Sequence, residues 1–247
     1  MKGETKLKVQ LVWYAPADPD PDTYIATVMR RTRDIQPFEG IIDTLYSKGD
    51  YCVQCGRELR DQIHDNDKGD GKTHHVLSLW VVNLVRGAKQ GGHFGVFEHV
   101  QYSFSIEGVS RVLTHQLVRH RIASYAQISA RKVATKSYVV PPCDYISDEN
   151  LRRMLRKQIT DALESQWNLY ERLTQRGVSP EDARYVVGDG QATSIIMTLN
   201  ARSLGHLLRM RLAPEAQWEI RALAKEMLQL VKPTAPILWE EPLPSAL

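Results

Sequence analysis

Cysteine is scarce in this sequence, which contains only three. Cys52 and Cys55 form a single CxxC pair with no second pair, and Cys143 follows two prolines. A structural zinc site usually takes four Cys or His ligands, and a redox CxxC motif is expected after a clear strand, which is missing here. We expect ordinary reduced thiols and no bound metal, and the sequence assigns no role to Cys52 and Cys55.

Long apolar runs and an excess of one charge are also absent. No run of about 18 apolar residues could form a membrane span, and the first residues, MKGETKLKVQ, lack an apolar signal core. The net charge is only +3, and the arginines cluster in short segments instead of covering one face. We therefore expect a soluble, cytoplasmic protein that has no membrane or nucleic-acid partner and binds small anionic ligands.

Two common nucleotide-binding motifs are missing. No GxGxxG follows a predicted strand, so a Rossmann cofactor site has no support. The tripeptide Gly71-Lys72-Thr73 imitates the end of a phosphate-binding P-loop, but Asn66 stands where that motif needs glycine. A nucleotide would have to be bound by a different arrangement of residues.

The sequence does have hydrophobic residues, 43% of 247, with the periods of both strands and helices. Alternation predicts strands at 7–13 and 100–106 and an extended segment at 134–142. Helical spacing and capping residues predict helices at 23–35, 74–88, 147–177, 200–211 and 214–231, and another that begins at Ser179. Together they predict an α+β fold in which a small, mostly antiparallel sheet packs with long helices. We expect a single domain over 1–247, and the pattern leaves open an extended tail at 232–247.

The segment 119-RHRIASYAQISAR-131 concentrates cations, an imidazole and hydroxyls in a short stretch. The apolar residues from Val109 to Leu117 recur at helical spacing, which places the arginines at a helix end and in the turn that follows. Guanidinium groups and hydroxyls are suited to binding phosphate. Three nearby arginines by themselves would favour a solvated basic helix end, so the assignment of a nucleotide site depends on the wider pattern.

This segment resembles the identifying motif of the flavin-dependent thymidylate synthases, which is Arg-His-Arg, seven residues and Ser. The match is complete at Arg119, His120, Arg121 and Ser129. The segments 92-GHFGVFEHVQYSFSI-106 and 199-LNARSLGHLLRMRLAPEAQWEIRALA-224 resemble the family's flavin loop and second half-site, in the family's order. The resemblance implies reductive methylation of dUMP to dTMP, with methylenetetrahydrofolate as carbon donor, NADPH as reductant, FAD as cofactor and no cysteine nucleophile. It also implies a homotetramer.

The resemblance assigns most of the site residues to two ligands. The positions that match FAD contacts are His93, Gly95, Glu98, Arg119, His120, Arg121, Gln127, Asn200, Arg202 and His206. The positions that match nucleotide contacts are Gln116, Arg119, Gln127, Ser129, Ala130, Arg131, Arg184 and Arg211. Without the resemblance, Arg202 and Arg211 would be interpreted as surface charges and His206 as a buried core histidine.

Three of these residues are expected to contact the pyrimidine ring. Arg211 matches the position that contacts uracil, where a fixed cation can stabilise negative charge that develops on the ring, so we expect it to be the catalytic residue. Gln116 and Gln127 match positions that border the pyrimidine and the flavin, and a neutral amide could pair with the uracil edge as donor and acceptor together.

Three residues depart from the family pattern: Ala126 stands where a small polar residue is usual, Lys132 where Tyr is usual and Gly188 where Pro is common. They keep two alternatives open. One is a flavoenzyme of the same fold that modifies a different pyrimidine nucleotide, and the other is a non-catalytic protein that binds a nucleotide or a flavin.

Overall fold

The structure is a computed structural model that describes residues 3–32, 36–46, 51–52, 57–58, 76–129, 136–241 and 243. Its elements run along the chain in the order β1 (Gly3–Glu4), β2 (Lys8–Ala15), α1 (Pro21–Arg31), α2 (Phe38–Tyr46), β3 (Tyr51–Cys52), β4 (Arg57–Glu58), β5 (Val76–Leu77), α3 (Leu79–Gln90), a 3-10 helix (Phe94–His99), β6 (Gln101–Ser110), α4 (Arg111–Leu117), β7 (Ala123–Gln127), β8 (Ser137–Tyr138), α5 (Glu149–Gln175), α6 (Pro180–Ala183), a second 3-10 helix (Arg184–Val186), β9 (Ala192–Asn200), α7 (Ala201–Arg211) and α8 (Trp218–Val231).

The strands form small sheets. The largest has the order β2-β6-β9-β7, and a second has the order β4-β3-β5 with antiparallel pairing on both sides of β3. β1 and β8 form a separate parallel pair in which Gly3 lies opposite Ser137. The α+β class with a small antiparallel sheet and long helices is thereby confirmed.

The chain divides into two compact units, residues 1–10 with 104–197 and residues 11–103 with 198–247. In the first unit, α5 packs on α6 and on the 3-10 helix that follows it. Its apolar cluster contains Trp167, Tyr170 and Ala183. The Asp148 side chain caps the start of α5, and Gly177, at φ 90°, provides the left-handed residue that often ends a helix. This packing fixes the chain from Arg184 to Val187.

The second unit contains α1, α2, α3, the first 3-10 helix, α7 and α8. The segment after α8, for which the sequence left open an extended tail, consists of turns with buried side chains as far as Trp239. The Trp239 indole N–H donates to the Tyr102 hydroxyl at 3.0 Å, and the two rings meet edge to face. The prediction of one domain over the whole chain stays a prediction.

Several predicted boundaries are wrong because a capping residue lies elsewhere. α3 begins at Leu79 instead of 74, since Ser78 accepts from the N–H of Trp80, and α8 begins at Trp218 instead of 214, since Gln217 caps it. Val109, which was counted with the motif helix, is the penultimate residue of β6, because Ser110 caps α4. The segment at 134–142 forms a strand only at Ser137–Tyr138 within the described residues. β7 and β9 were not predicted.

Candidate functional site

The Arg-His-Arg segment lies directly after α4, as the sequence predicts. The Ser110 hydroxyl accepts from the N–H of Leu113 at 3.0 Å and so starts the helix, and Leu117 ends it with a fully buried side chain. Arg119 occupies the following turn. The side chains of Arg119 and Arg121 are exposed, whereas His120 is buried. The two guanidinium groups therefore lie on either side of a buried imidazole in the chain.

No carboxylate in the described part of the chain forms an ion pair with Arg119 or Arg121. Within the described ranges, their charge is thus not neutralised by a carboxylate. An exposed guanidinium without a carboxylate partner has all of its forked donors available to an anion. This is the electrostatic feature that a diphosphate or monophosphate group requires.

Tyr125, on β7, holds this loop in place. Its hydroxyl lies 2.8 Å from the carbonyl oxygen of Leu117 and 2.9 Å from that of His120, and it donates to them. Burial raises the pKa of Tyr125 to about 12, while the nearby Arg121 lowers it. The hydroxyl therefore keeps its proton, and with it the bond to the loop, throughout the neutral range.

Gln127 lies on the same strand, two residues further on. Its side-chain nitrogen donates to the hydroxyl oxygens of Thr114 and Thr193, each at 3.2 Å. The backbone N–H of Ile128 donates to the Ser194 carbonyl at 3.0 Å, which ties the chain before Ser129 to β9. Ser129 is half-buried, and Ala130 and Arg131 lie outside the described residues.

Arg184 and Gln116 are the remaining candidates in the first unit. Arg184 opens the 3-10 helix after α6 and is half-buried, with its Nε donating to the Glu181 carbonyl at 3.1 Å. Gln116 is half-buried near the end of α4. The range of the first unit thus includes Ala130 and Arg131 and seven described candidates: Gln116, Arg119, His120, Arg121, Gln127, Ser129 and Arg184.

The other candidates belong to the second unit. His93 and Gly95 lie at the start of the first 3-10 helix, and both are exposed. Glu98, near the end of that helix, accepts a hydrogen bond from Arg202 Nη1 at 2.5 Å. This ion pair connects the glycine-containing loop to the first turn of α7, so the position of Arg202 depends on Glu98.

The last three candidates are the N-cap of α7 and two residues within that helix. The Asn200 side chain caps the helix by accepting from the N–H of Ser203 at 2.8 Å. His206 is exposed, and its Nδ1 lies 3.0 Å from Arg209 Nη2, so the interpretation as a buried core histidine is wrong. Arg211, the last residue of α7, is half-buried.

Two further expectations concern the cysteines and a bound metal. Cys143 is 5% exposed, the side chain of Cys52 is not described, and Cys55 lies outside the described residues. Within the described ranges no three His, Cys, Asp or Glu side chains gather in a group that could hold a metal ion. None of the helices in those ranges combines the length and apolar character that a bilayer span needs.

Sequence reasoning missed the residues that hold the candidates in place, namely Tyr125, Thr114 and Thr193. One signal could have found Tyr125. In the five residues of β7, Ala123, Tyr125 and Gln127 alternate with more exposed neighbours, which is the two-residue period of a half-buried strand.

Comparison with known proteins gives one consistent result. The family model described as thymidylate synthase complementing protein matches residues 20–237. A flavin-dependent thymidylate synthase of Sulfurisphaera tokodaii is 41% identical over 167 residues, which are 68% of this chain and 62% of the relative. One of Geobacter sulfurreducens is 43% identical over 159 residues, which are 63% of this chain and 67% of the relative. The chain thus spans less than two thirds of the first of these relatives.

A solved structure shares the fold. The crystal structure of a UMP/dUMP methylase from Streptomyces cacaoi, bound with 5-Br dUMP, superposes with a TM-score of 0.71. The alignment covers 97% of this chain and 96% of that one at 21% sequence identity. At this identity the likeness establishes the fold alone.

Proposed function

Since the chain belongs to the thymidylate synthase complementing protein family, we propose that it is a flavin-dependent thymidylate synthase. The reaction is the reductive methylation of dUMP to dTMP, with methylenetetrahydrofolate as carbon donor and NADPH as reductant through FAD. The observation that carries the proposal is the complete motif of Arg119, His120, Arg121 and Ser129, with two exposed arginines that no described carboxylate neutralises.

The residues present fit a flavin nucleotide. Arg119 and Arg121 would bind its phosphates through guanidinium donors that pair with no carboxylate among the described residues, and His120 lies between them in the chain. In the second unit, Asn200, Arg202 and His206 on α7 and His93, Gly95 and Glu98 in the preceding loop would contact the rest of the cofactor. When bound, the reduced flavin supplies the hydride of the reaction.

Binding of dUMP is divided between phosphate and ring contacts. Ser129, Ala130, Arg131 and Arg184 would hold the phosphate, because a hydroxyl, a backbone N–H and forked guanidinium donors match its oxygens. Gln116 and Gln127 would border the pyrimidine. Arg211 would lie against the uracil and stabilise the negative charge that develops on it, which removes the need for a protein nucleophile. The burial of Cys143 agrees with this, since its thiol is not open to a substrate.

A direct assay tests the proposal. The protein is incubated with dUMP, methylenetetrahydrofolate and NADPH, and the nucleotides are analysed by mass spectrometry for dTMP. Parallel incubations with UMP and dCMP test the alternative that a different pyrimidine nucleotide is modified. If none of the nucleotides changes although the protein is purified with bound flavin, the protein is a non-catalytic binder and the proposed activity is wrong.

The role of Arg211 can be separated from phosphate binding. Arg211→Ala should lower the rate of flavin oxidation about 10²–10³-fold even at saturating dUMP, because its interaction strengthens as charge develops on the ring. Arg131→Ala should mainly weaken dUMP binding, by roughly 1.5–3 kcal/mol. Rapid-mixing kinetics at varied dUMP measures both effects. An Arg211→Ala variant that reaches the parent rate at high dUMP would show that Arg211 only binds.

We also propose a homotetramer, in which residues of different subunits complete each flavin site. The assignments to FAD are divided between two compact units of the chain, and a symmetric oligomer would let one subunit supply what another lacks. Light scattering of the flavin-bound protein should give four times the mass of the chain. A monomer that retains flavin and activity would contradict the assembly but not the activity.

A further inference from the structure

Two buried threonines hold the side-chain amide of Gln127. Thr114, on α4, is 1% exposed, and Thr193, on β9, is 8% exposed. Both hydroxyl oxygens lie 3.2 Å from Gln127 Nε2. These contacts join three elements around one amide group, and no role has been assigned to either threonine.

The hydrogen bonds of Thr114 determine which way the amide faces. A hydroxyl has one proton, and Thr114 donates it to the Arg111 carbonyl oxygen at 3.1 Å. Toward Gln127 the hydroxyl can therefore only accept, so the amide must present its nitrogen. If the amide were rotated by half a turn, Gln127 Oε1 would face a lone pair of the Thr114 hydroxyl, and this contact would have no donor.

The oxygen is then the part of the Gln127 amide that can still form a hydrogen bond to a ligand. Nε2 carries two hydrogens, and the bonds to Thr114 and Thr193 use both. In the described part of the chain, no group donates to Gln127 Oε1. A half-buried amide oxygen without a protein donor is suited to accept a hydrogen bond from a bound molecule.

We propose that Thr114 and Thr193 are positioning residues that make Gln127 an acceptor only, so that it selects a nucleotide with an N–H or O–H donor at this point. The inference rests on the proposed function, which places dUMP beside Gln127. It replaces the expectation that the amide pairs with uracil as donor and acceptor together. In dUMP the donor is either N3–H of the base or the 3′-hydroxyl of the sugar.

The test compares three ligands by calorimetry: dUMP, its N3-methyl derivative and its 3′-deoxy derivative. The parent protein should bind one of the two derivatives about three- to tenfold more weakly than dUMP, the usual effect of one lost hydrogen bond. In the Thr114→Val, Thr193→Val double variant, dUMP should bind more weakly, and the ratio of the dUMP Kd to the Kd of that derivative should move toward one. A clash of the added methyl group weakens binding to both proteins and so does not alter the comparison between them.

The matched control is the Thr114→Ser, Thr193→Ser double variant, which keeps both hydroxyls and should keep the parent ratio. A purely structural role of the threonines would weaken all ligands in parallel. If the Val double variant does not fold, the Thr193→Val single variant is tested instead. It leaves one Nε2 hydrogen without its threonine acceptor, so the amide can also donate to the nucleotide.

The inference is overturned if the parent binds all three ligands equally, or if the Val and parent proteins show the same ratio. The proposed function fails in a different way. In that case the parent forms no dTMP in the direct assay, whatever the effect of the threonines on the binding ratios.

Discussion

At the scale of single residues, the candidate site depends on side chains that do not touch a ligand themselves. Tyr125 is the clearest case, because one hydroxyl bonds to the carbonyls of Leu117 and His120 and so bridges the end of α4 and the loop after it. The loop contains Arg119 and Arg121, which should bind a phosphate more tightly when the loop holds both of them in position. A guanidinium that is held in position loses less entropy on binding than one that moves freely.

Replacement of this hydroxyl should therefore weaken cofactor binding. We predict that Tyr125→Phe lowers the affinity for FAD about tenfold and the free energy of unfolding by about 1 kcal/mol, since two carbonyls lose the half-buried hydroxyl whose proton they share. Fluorescence titration of the apoprotein with FAD measures the first effect. Tyr185→Phe is the matched control, because Tyr185 is 86% exposed and should leave FAD binding unchanged. Equal FAD affinities for the Tyr125→Phe and parent proteins would show that the loop is held by other contacts.

At the scale of elements, long periodic segments were predictable and short ones were not. α5 was predicted at 147–177 and found at 149–175. β6 was predicted because Tyr102, Phe104 and Ile106 alternate with polar residues in the sequence, and these are buried side chains of the strand. β9 was not predicted because its sequence, ATSIIMTLN, has an apolar residue at the exposed position Ile196, between the buried Ile195 and Met197, which hides the alternation of burial along the strand. β7 was not predicted because it is only five residues long.

The same limit applies to the candidate site. The motif residues could be named from the sequence because one short continuous segment, 119–131, contains the residues that resemble the family motif. The contact of Gln127 with Thr193 joins residues 66 positions apart, and that of Tyr125 with Leu117 depends on how a loop returns to its helix. Such contacts follow from tertiary packing, and no local sequence pattern predicts them.

The turn after Arg184 shows how a departure from the family pattern is accommodated. The N–H of Gly188 donates to Gln166 Oε1 at 3.0 Å, a bond that the proline common at this position could not form. A Cβ added to Gly188 would lie 2.8 Å from the same Oε1. Gln166, on α5, would have to move away and break the hydrogen bond.

Replacement of glycine by alanine should thus have opposite effects on stability at Gly188 and at Gly87. We predict that Gly188→Ala lowers the free energy of unfolding by about 1 kcal/mol, the usual effect of one lost hydrogen bond. Gly87→Ala, in α3, should raise it by about 0.5–1 kcal/mol, because alanine favours the helix and the added Cβ meets no atom within 4 Å. Urea unfolding of the two variants and the parent gives both signs. A Gly188→Ala protein as stable as the parent would show that Gln166 moves at no cost.

At the scale of the whole molecule, a buried polar system fixes the C-terminal segment in the second unit. Asp22 is 0% exposed, and its two oxygens accept from the N–H groups of Ile237 and Leu238, each at 2.9 Å. The Lys89 ammonium donates to the Ile237 carbonyl at 3.3 Å and lies 3.7 Å from the Glu240 carboxylate. Burial lowers the pKa of Lys89, and the nearby carboxylates partly offset this.

Asp22 should make the stability of this unit depend on pH. Burial raises its pKa from 3.8 to about 7, the charge of Asp20 raises it further, and the N–H groups of Ile237 and Leu238 and the charge of Lys89 oppose the shift. Between about pH 4 and pH 7, the folded protein therefore binds a proton at Asp22 that the unfolded chain has already released. The free energy of unfolding should therefore fall as the pH rises from about 4 to about 7 and should not change further above that range on account of this group.

The change attributable to Asp22 should be at most about 4 kcal/mol, which corresponds to a shift of about three pKa units. Asp22→Asn cannot titrate and should lack this slope, even though its amide nitrogen faces a backbone N–H and makes the variant less stable overall. Urea unfolding of both proteins between about pH 4 and pH 8, followed by tryptophan fluorescence, gives the difference in slope. The control is Asp189→Asn at an exposed position, which should follow the parent. If the Asp22→Asn and parent curves run parallel, Asp22 is ionised in the folded protein over the whole range, and its hydrogen bonds to the C-terminal segment outweigh the cost of burying its charge.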